Sequence, residues 1–181
     1  MGSKENKQRE YCHTHRLFIA LLPDSYTVNQ LTQLQKPIKG KKTSIENFHL
    51  TLMFLGNQPK TNIAALKAFI DRLPFEPFDL KIDQYGFFSK LKISWAGFQQ
   101  IPASLTKLHK IIWNHLVPDY VNETKYSFRP HITLARKALP PPLSLDQPFI
   151  WHVNRLALME SIISDIPRKP AFYRILHEKR A

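Results

Sequence analysis

Residues 48–56 read Phe48-His49-Leu50-Thr51-Leu52-Met53-Phe54-Leu55-Gly56, or FHLTLMFLG, a strand-like run that a histidine and a threonine interrupt two positions apart. In an extended chain residues i and i+2 project from the same face, roughly 7 Å apart. His49 and Thr51 therefore share one side, and Leu50 and Leu52 take the other. Later in the chain, residues 127–136 read SFRPHITLAR, so His131 and Thr133 again point one way while Ile132 and Leu134 point the other. The two segments, FHLTL and PHITL, lie 82 positions apart, nearly half the chain. A single histidine in an apolar strand is more often a hydrogen-bonded core residue than a functional one. Two copies in equivalent contexts shift that balance: if the halves are related by a pseudo-two-fold, both polar faces converge on one groove.

The pattern around the first motif reads βαβα. Residues 16–22 (RLFIALL) read as a buried strand, and residues 25–36 carry helical spacing through Val28, Leu31 and Leu34 or Gln35. A basic loop, KGKK, covers residues 39–42. After the first motif, which the pattern ends at Gly56, Thr61 or Asn62 is placed to cap a helix with Ile63, Leu66, Phe69, Ile70 and Leu73 on one stripe. Residues 78–88 and 91–98 read as two strands joined by a turn near Ser89-Lys90, and this hairpin argues against an all-parallel sheet. Residues 101–116 form a helix with Pro102 in its first turn and Leu105, Leu108, Ile112 and Leu116 along one side. A proline-rich loop over 139–148 separates the second motif from residues 149–163, whose alternation is too poor to assign faces, and residues 172–177 read as a last strand.

Composition bounds the partners. The 181 residues fit one domain or two intimate lobes, with 43% hydrophobic and 12% aromatic content sufficient for a core. Residues 1–15 read as a flexible leader and 16–181 as a single bilobal domain. No run approaches the roughly 20 apolar residues of a membrane span, and the polar start lacks the apolar middle of a signal peptide, so a cytoplasmic protein away from membranes is expected. The lone Cys12 can form no internal disulfide and is assigned no role. Lys and Arg outnumber Asp and Glu by 26 to 14, a formal charge of +12 that favours polyanions such as nucleic acid or phosphate-bearing substrates.

The side chains in the motifs suit a displacement at phosphorus. Imidazole titrates near pH 6.5, so of two histidines facing one substrate, one can accept a proton while the other donates one. Threonine hydroxyls can bond non-bridging oxygens, and a guanidinium can add a bidentate clamp. Arg136 is the candidate. Lying five positions after His131, it points to the opposite face of a regular strand and needs a bulge or the strand's end to reach in. Metal chemistry is the rival use of two histidines, but neither HLTL nor HITL brings a third ligand to the same face. His13-Thr14-His15 reads as tail, His109 and His115 as packing or surface positions, and His152 and His177 have no partner motif. Five glycines leave no Walker loop or dinucleotide fingerprint, and no G-x-S-x-G elbow is present, which argues against ATP, NAD or a serine nucleophile.

With both motifs in view, the chain resembles the two-histidine (2H) phosphoesterases, and within them the bacterial and archaeal RNA 2′,3′-cyclic phosphodiesterases, also called 2′-5′ RNA ligases. The resemblance extends to RLFIALLP at 16–23, Trp95-Ala96-Gly97, and MESIISDIPRKPAFYRIL at 159–176 with Ser161 and Tyr173. It implies an α+β, bilobal, pseudo-two-fold fold: two antiparallel β-sheets, flanked by helices, face each other across a central cleft. It implies hydrolysis of a terminal 2′,3′-cyclic phosphate on RNA or an oligonucleotide to a 2′-phosphate, without metal or other cofactor, with the reverse joining of ends in reach, by a protein expected to be a monomer. By that resemblance His49 is the general acid and His131 the general base, and Thr51, Thr133 and Arg136 bind the phosphate. The alternatives are a phosphodiesterase for 2′,5′-oligonucleotides or small cyclic nucleotides, and a non-catalytic RNA-binding module. The chain departs from the branch at Lys42-Thr43-Ser44, where an arginine-tryptophan-valine-like segment is common.

Overall fold

The computed structural model describes residues 14–120, 128–162 and 172–181. Cys12, His13, Ser127 and residues 163–171 of the C-terminal landmark lie outside them. The element order is β1 (Thr14–Leu21), α1 (Ser25–Gln35), β2 (Lys41–Lys42), a 3₁₀ turn (Ile45–Asn47), β3 (Leu50–Pro59), α2 (Asn62–Arg72), β4 (Phe78–Ile82), β5 (Gln84–Phe88), β6 (Ile93–Gly97), α3 (Ala103–Tyr120), β7 (Ile132–Arg136), β8 (Phe149–Val153), β9 (Arg155–Ile162) and β10 (Phe172–Arg180). No helix among the described residues is long and apolar enough to cross a membrane.

The fold is α+β, as the resemblance implies, with every strand pair among the described residues antiparallel. One half runs β10-β9-β1-β3 and the other β7-β6-β5, with β2 on β7. Instead of standing as two separate sheets, the halves are hydrogen-bonded into one through a single partner pair, Leu50 and Ile132. A two-stranded sheet of β4 and β8 lies apart. Its separation explains two misread runs. Residues 78–88 divide at Asp83, whose backbone N–H donates to the Gly97 carbonyl and whose Oδ1 accepts from the Gln99 N–H. Residues 149–163 divide at Asn154 into a strand of alternating burial and β9, which is buried on both faces from Leu156 to Glu160. A merged pattern of two such strands has no single period.

The helices cover one face. Leu105, Leu108, Ile112 and Leu116 of α3 are all buried, as their spacing predicts, as are Leu31 of α1 and Leu66 and Ile70 of α2. Asp24 caps α1 by accepting from the Thr27 N–H at 2.7 Å. Thr61 occupies the cap position of α2 but its side chain makes no cap bond, and Asn62 instead donates to Gln58 Oε1. The first motif strand does not end at Gly56. That residue takes φ +67, a left-handed conformation glycine adopts readily, and β3 continues to Pro59. At the start, Thr14 and His15 belong to β1, and His15 Nδ1 lies 2.6 Å from Glu160 Oε1, so these two residues are strand and not leader.

Candidate active site at the junction of the motif strands

The single pair that joins the halves is also the centre of the site. Leu50 and Ile132 are buried, one residue after His49 and His131 respectively. In antiparallel register, one step either side of that pair sets His49 opposite Thr133 and Thr51 opposite His131. The odd positions face away from the helix-covered core. His49, Thr51, His131, Thr133 and Arg136 all line one cleft of about 580 Å³, together with Phe18, Phe54, Phe88, Ser161 and Tyr173.

Arg136 reaches this face because β7 is bulged. Ser94 pairs with Ala135 and Trp95 with Thr133, leaving Leu134 as the extra residue. One unpaired residue reverses the alternation, so Leu134 and Ala135 are both buried and Arg136 is exposed on the side of Thr133. The carbonyl of Leu134 accepts from the Thr43 N–H (2.8 Å) and from Gln35 Nε2 (2.7 Å), and Gln35 Nε2 also donates to the Thr43 carbonyl (2.8 Å). Gln35, buried on α1, thus fixes the bulge. The first motif has the same device. Ile19 pairs with Met53 and Ala20 with Thr51, so Leu52 is extra, and its carbonyl lies 3.0 Å from Nδ1 of buried His109 on α3. His109, read from the sequence as a packing or surface position, is the first half's counterpart of Gln35. The residue that the first bulge turns outward is Phe54, where the second half has Arg136.

The two imidazoles are anchored alike. His49 Nδ1 bonds the Asn47 carbonyl and His131 Nδ1 the Arg129 carbonyl, both at 2.7 Å and both two residues back. A carbonyl can only accept, so each Nδ1 carries the proton and each Nε2 is left for the cleft. Aromatic rings hold both in place. Tyr173 meets His49 edge-on with centroids 4.9 Å apart and Phe18 lies at 5.1 Å; Phe88 meets His131 edge-on at 4.9 Å and Trp95 lies at 6.1 Å. Phe18 and Phe88 carry no i, i+2 signature and were not read from the sequence; only the paired strands bring them to the rings.

Burial depresses both histidines. His49 falls to about 4, chiefly from desolvation, partly opposed by the Asn47 carbonyl, and pushed further by the charges of His131 and Arg136. His131 falls by burial and by Arg136, against the Arg129 carbonyl. Both rings are neutral in the empty cleft at pH 7, and an anion placed between them raises both.

Trp95 depends on a glycine. Gly86 is its cross-strand partner, and a Cβ there would lie 1.9 Å from the indole. Gly86→Ala is expected to displace Trp95 from its place beside His131 and to cost about 1–3 kcal/mol of stability. Thermal denaturation and turnover would both fall; an unchanged melting temperature would show that the indole moves without cost.

The other histidines are accounted for elsewhere. His152 pairs with Asp79, His177 with Asp71 at 2.6 Å, and His115 Nδ1 with the Ile111 carbonyl. Among the described residues no three His, Cys, Asp or Glu side chains gather where they could hold a metal ion.

Comparison with known proteins agrees with this architecture. The LigT like phosphoesterase family model matches residues 22–94. The RNA 2′,3′-cyclic phosphodiesterase of Escherichia coli K12 is 31% identical over 111 residues, 59% of this chain, and the match spans 63% of that relative's length. The crystal structure of E. coli LigT in apo form superposes with a TM-score of 0.79 at 24% identity, covering 93% of this chain and 98% of the other. The structure of E. coli LigT complexed with 3′-AMP gives a TM-score of 0.77 at 25% identity, covering 93% and 98%. Over residues 22–94 the chain is similar to the LigT like phosphoesterases, and its fold is that of E. coli LigT.

Proposed function

We propose that this protein hydrolyses the 2′,3′-cyclic phosphate at an RNA end to a 2′-phosphate. The observation that carries this reading is the pair of identically anchored imidazoles lining one cleft with two threonines and an arginine. The name of the E. coli relative and the binding of 3′-AMP by E. coli LigT support a ribonucleotide as the occupant.

In the reaction His131 Nε2 takes a proton from water as the water oxygen bonds to phosphorus. The bond from phosphorus to O3′ breaks, its electron pair goes to O3′, and His49 Nε2–H supplies the proton that O3′ needs. Thr51, Thr133 and Arg136 hold the non-bridging oxygens, where charge grows in the transition state. The depressed basicity of His49 makes its protonated form a strong acid once the substrate anion has charged it. With a 5′-hydroxyl entering in place of water, the same displacement, with O3′ again leaving, joins two ends through a 2′-5′ bond.

The test is a product assay on RNA carrying a 2′,3′-cyclic end, in the presence of EDTA. A 2′-phosphate as the sole product, at a rate that EDTA leaves unchanged, is expected. A 3′-phosphate, or no hydrolysis, would sink the proposal.

A further inference from the structure

A second cavity of about 340 Å³ opens from the same residues. It shares His49, Thr133, Arg136 and Tyr173 with the cleft and adds Lys41, Lys42, Thr43, Ser44, Asn47 and Lys137. Lys41, Lys42, Arg136 and Lys137 thus surround one small space, and no carboxylate is among the described residues that line it. Lys42, Arg136 and Lys137 add positive charge to this lining, which favours a bound anion.

The lysines are built into this position. The KGKK segment, expected to be a loop, folds back as β2 and pairs with β7, with Lys41 opposite Arg136 and Lys42 opposite Ala135. The Thr43 N–H and Gln35 then tie its end to the Leu134 bulge. Gly40, at φ +147, makes the approach possible, because a Cβ there would fall 2.7 Å from the Ala138 Cα. Lys137 has φ +48, a left-handed conformation uncommon for a residue other than glycine. A hydrogen bond from the Ala138 N–H to the Lys92 carbonyl, 2.9 Å, holds the turn that follows.

The two openings differ in chemistry. The cleft side is lined by Phe18, Phe54, Phe88, Leu91 and Ile93, surfaces that suit a nucleoside. The lysine side suits a phosphate. We infer that the pocket of Lys41, Lys42 and Lys137 is a second phosphate subsite, which takes the 5′-phosphate of the terminal nucleotide while its cyclic phosphate lies between the histidines. This rests on the reading of the cleft as a cyclic phosphodiesterase site and adds a preference to it: the substrate is an oligonucleotide or a 5′-phosphorylated nucleotide, favoured over a bare nucleoside cyclic phosphate.

The experiment compares kcat/KM for a nucleoside 2′,3′-cyclic phosphate with that for the same compound carrying a 5′-phosphate, in the wild type and in Lys42→Ala/Lys137→Ala. The 5′-phosphate is expected to raise kcat/KM about tenfold in the wild type at low salt and about twofold in the double variant, with a salt dependence that weakens as the lysines are removed. A wild-type ratio near one, or a tenfold ratio that survives in the variant, overturns the subsite while leaving the cyclic phosphodiesterase reading intact. Absence of hydrolysis of both compounds by the wild type overturns that reading, and the subsite with it.

Discussion

Replacing either His49 or His131 with alanine is expected to lower kcat on a 2′,3′-cyclic dinucleotide by about 10²–10⁴-fold, the usual worth of one positioned acid or base. The two losses separate with the leaving group. A p-nitrophenyl nucleotide ester departs without needing a proton, so His49→Ala should recover most of its activity on that compound and His131→Ala should not. Recovery by His131→Ala alone would exchange the two roles, and turnover within a few-fold of wild type for both variants would remove the histidines from the chemistry.

The pH profile follows from the depressed basicities. The base must be neutral and the acid protonated, and in the empty protein both groups titrate below the ordinary histidine value, His49 near 4. The kcat/KM profile, which reports the free protein, should therefore be a bell centred below pH 6.5. The bound anion favours both protonated rings, so the kcat profile should be displaced to higher pH. A kcat bell lying below that of kcat/KM would contradict the electrostatics of the cleft.

Arg136→Ala is expected to cost about 10²–10³-fold in kcat/KM, the effect of removing one charged donor from a developing anion. Arg136→Lys should restore only part, since an ammonium keeps the charge but loses the planar fork that meets two oxygens at once. A second readout is independent of turnover. Arg136 lowers the basicity of both histidines through its charge, so removing it must raise both. Imidazole proton shifts followed by NMR against pH would register that rise in Arg136→Ala, and unmoved titrations would mean that the guanidinium acts elsewhere.

The meeting of the two motifs in one cleft was legible in the residue pattern because each motif is local. His and Thr two apart on an apolar strand must share a face whatever the rest of the chain does, and two copies imply a common groove. The helix stripes were legible for the same reason, and α3 buries the four leucine and isoleucine positions its spacing names. The run at residues 149–163 was not, because two strands with different burial meet there and their periods interfere. Cap chemistry at α2 and the end of β3 at Gly56 were also misread: a neighbouring side chain, Gln58, takes the Asn62 amide, and a left-handed glycine kinks the strand without ending it.

The spacing of Arg136 required a bulge, and nothing in SFRPHITLAR says where one forms. Its position at Leu134 depends on β6 pairing with β7 across a shifted register, and on Gln35, 99 residues away in sequence, donating to the carbonyl the bulge leaves outside the ladder. The conversion of KGKK from a loop into β2 has the same origin, since a two-residue strand exists only by virtue of its partner. From the sequence alone come the two histidine-threonine pairs that meet in one cleft and the sign of the chain's net charge. From tertiary structure come the face Arg136 takes, the rings that hold each imidazole and the placement of the lysines, because each is settled by a hydrogen bond or contact between segments that no local period connects.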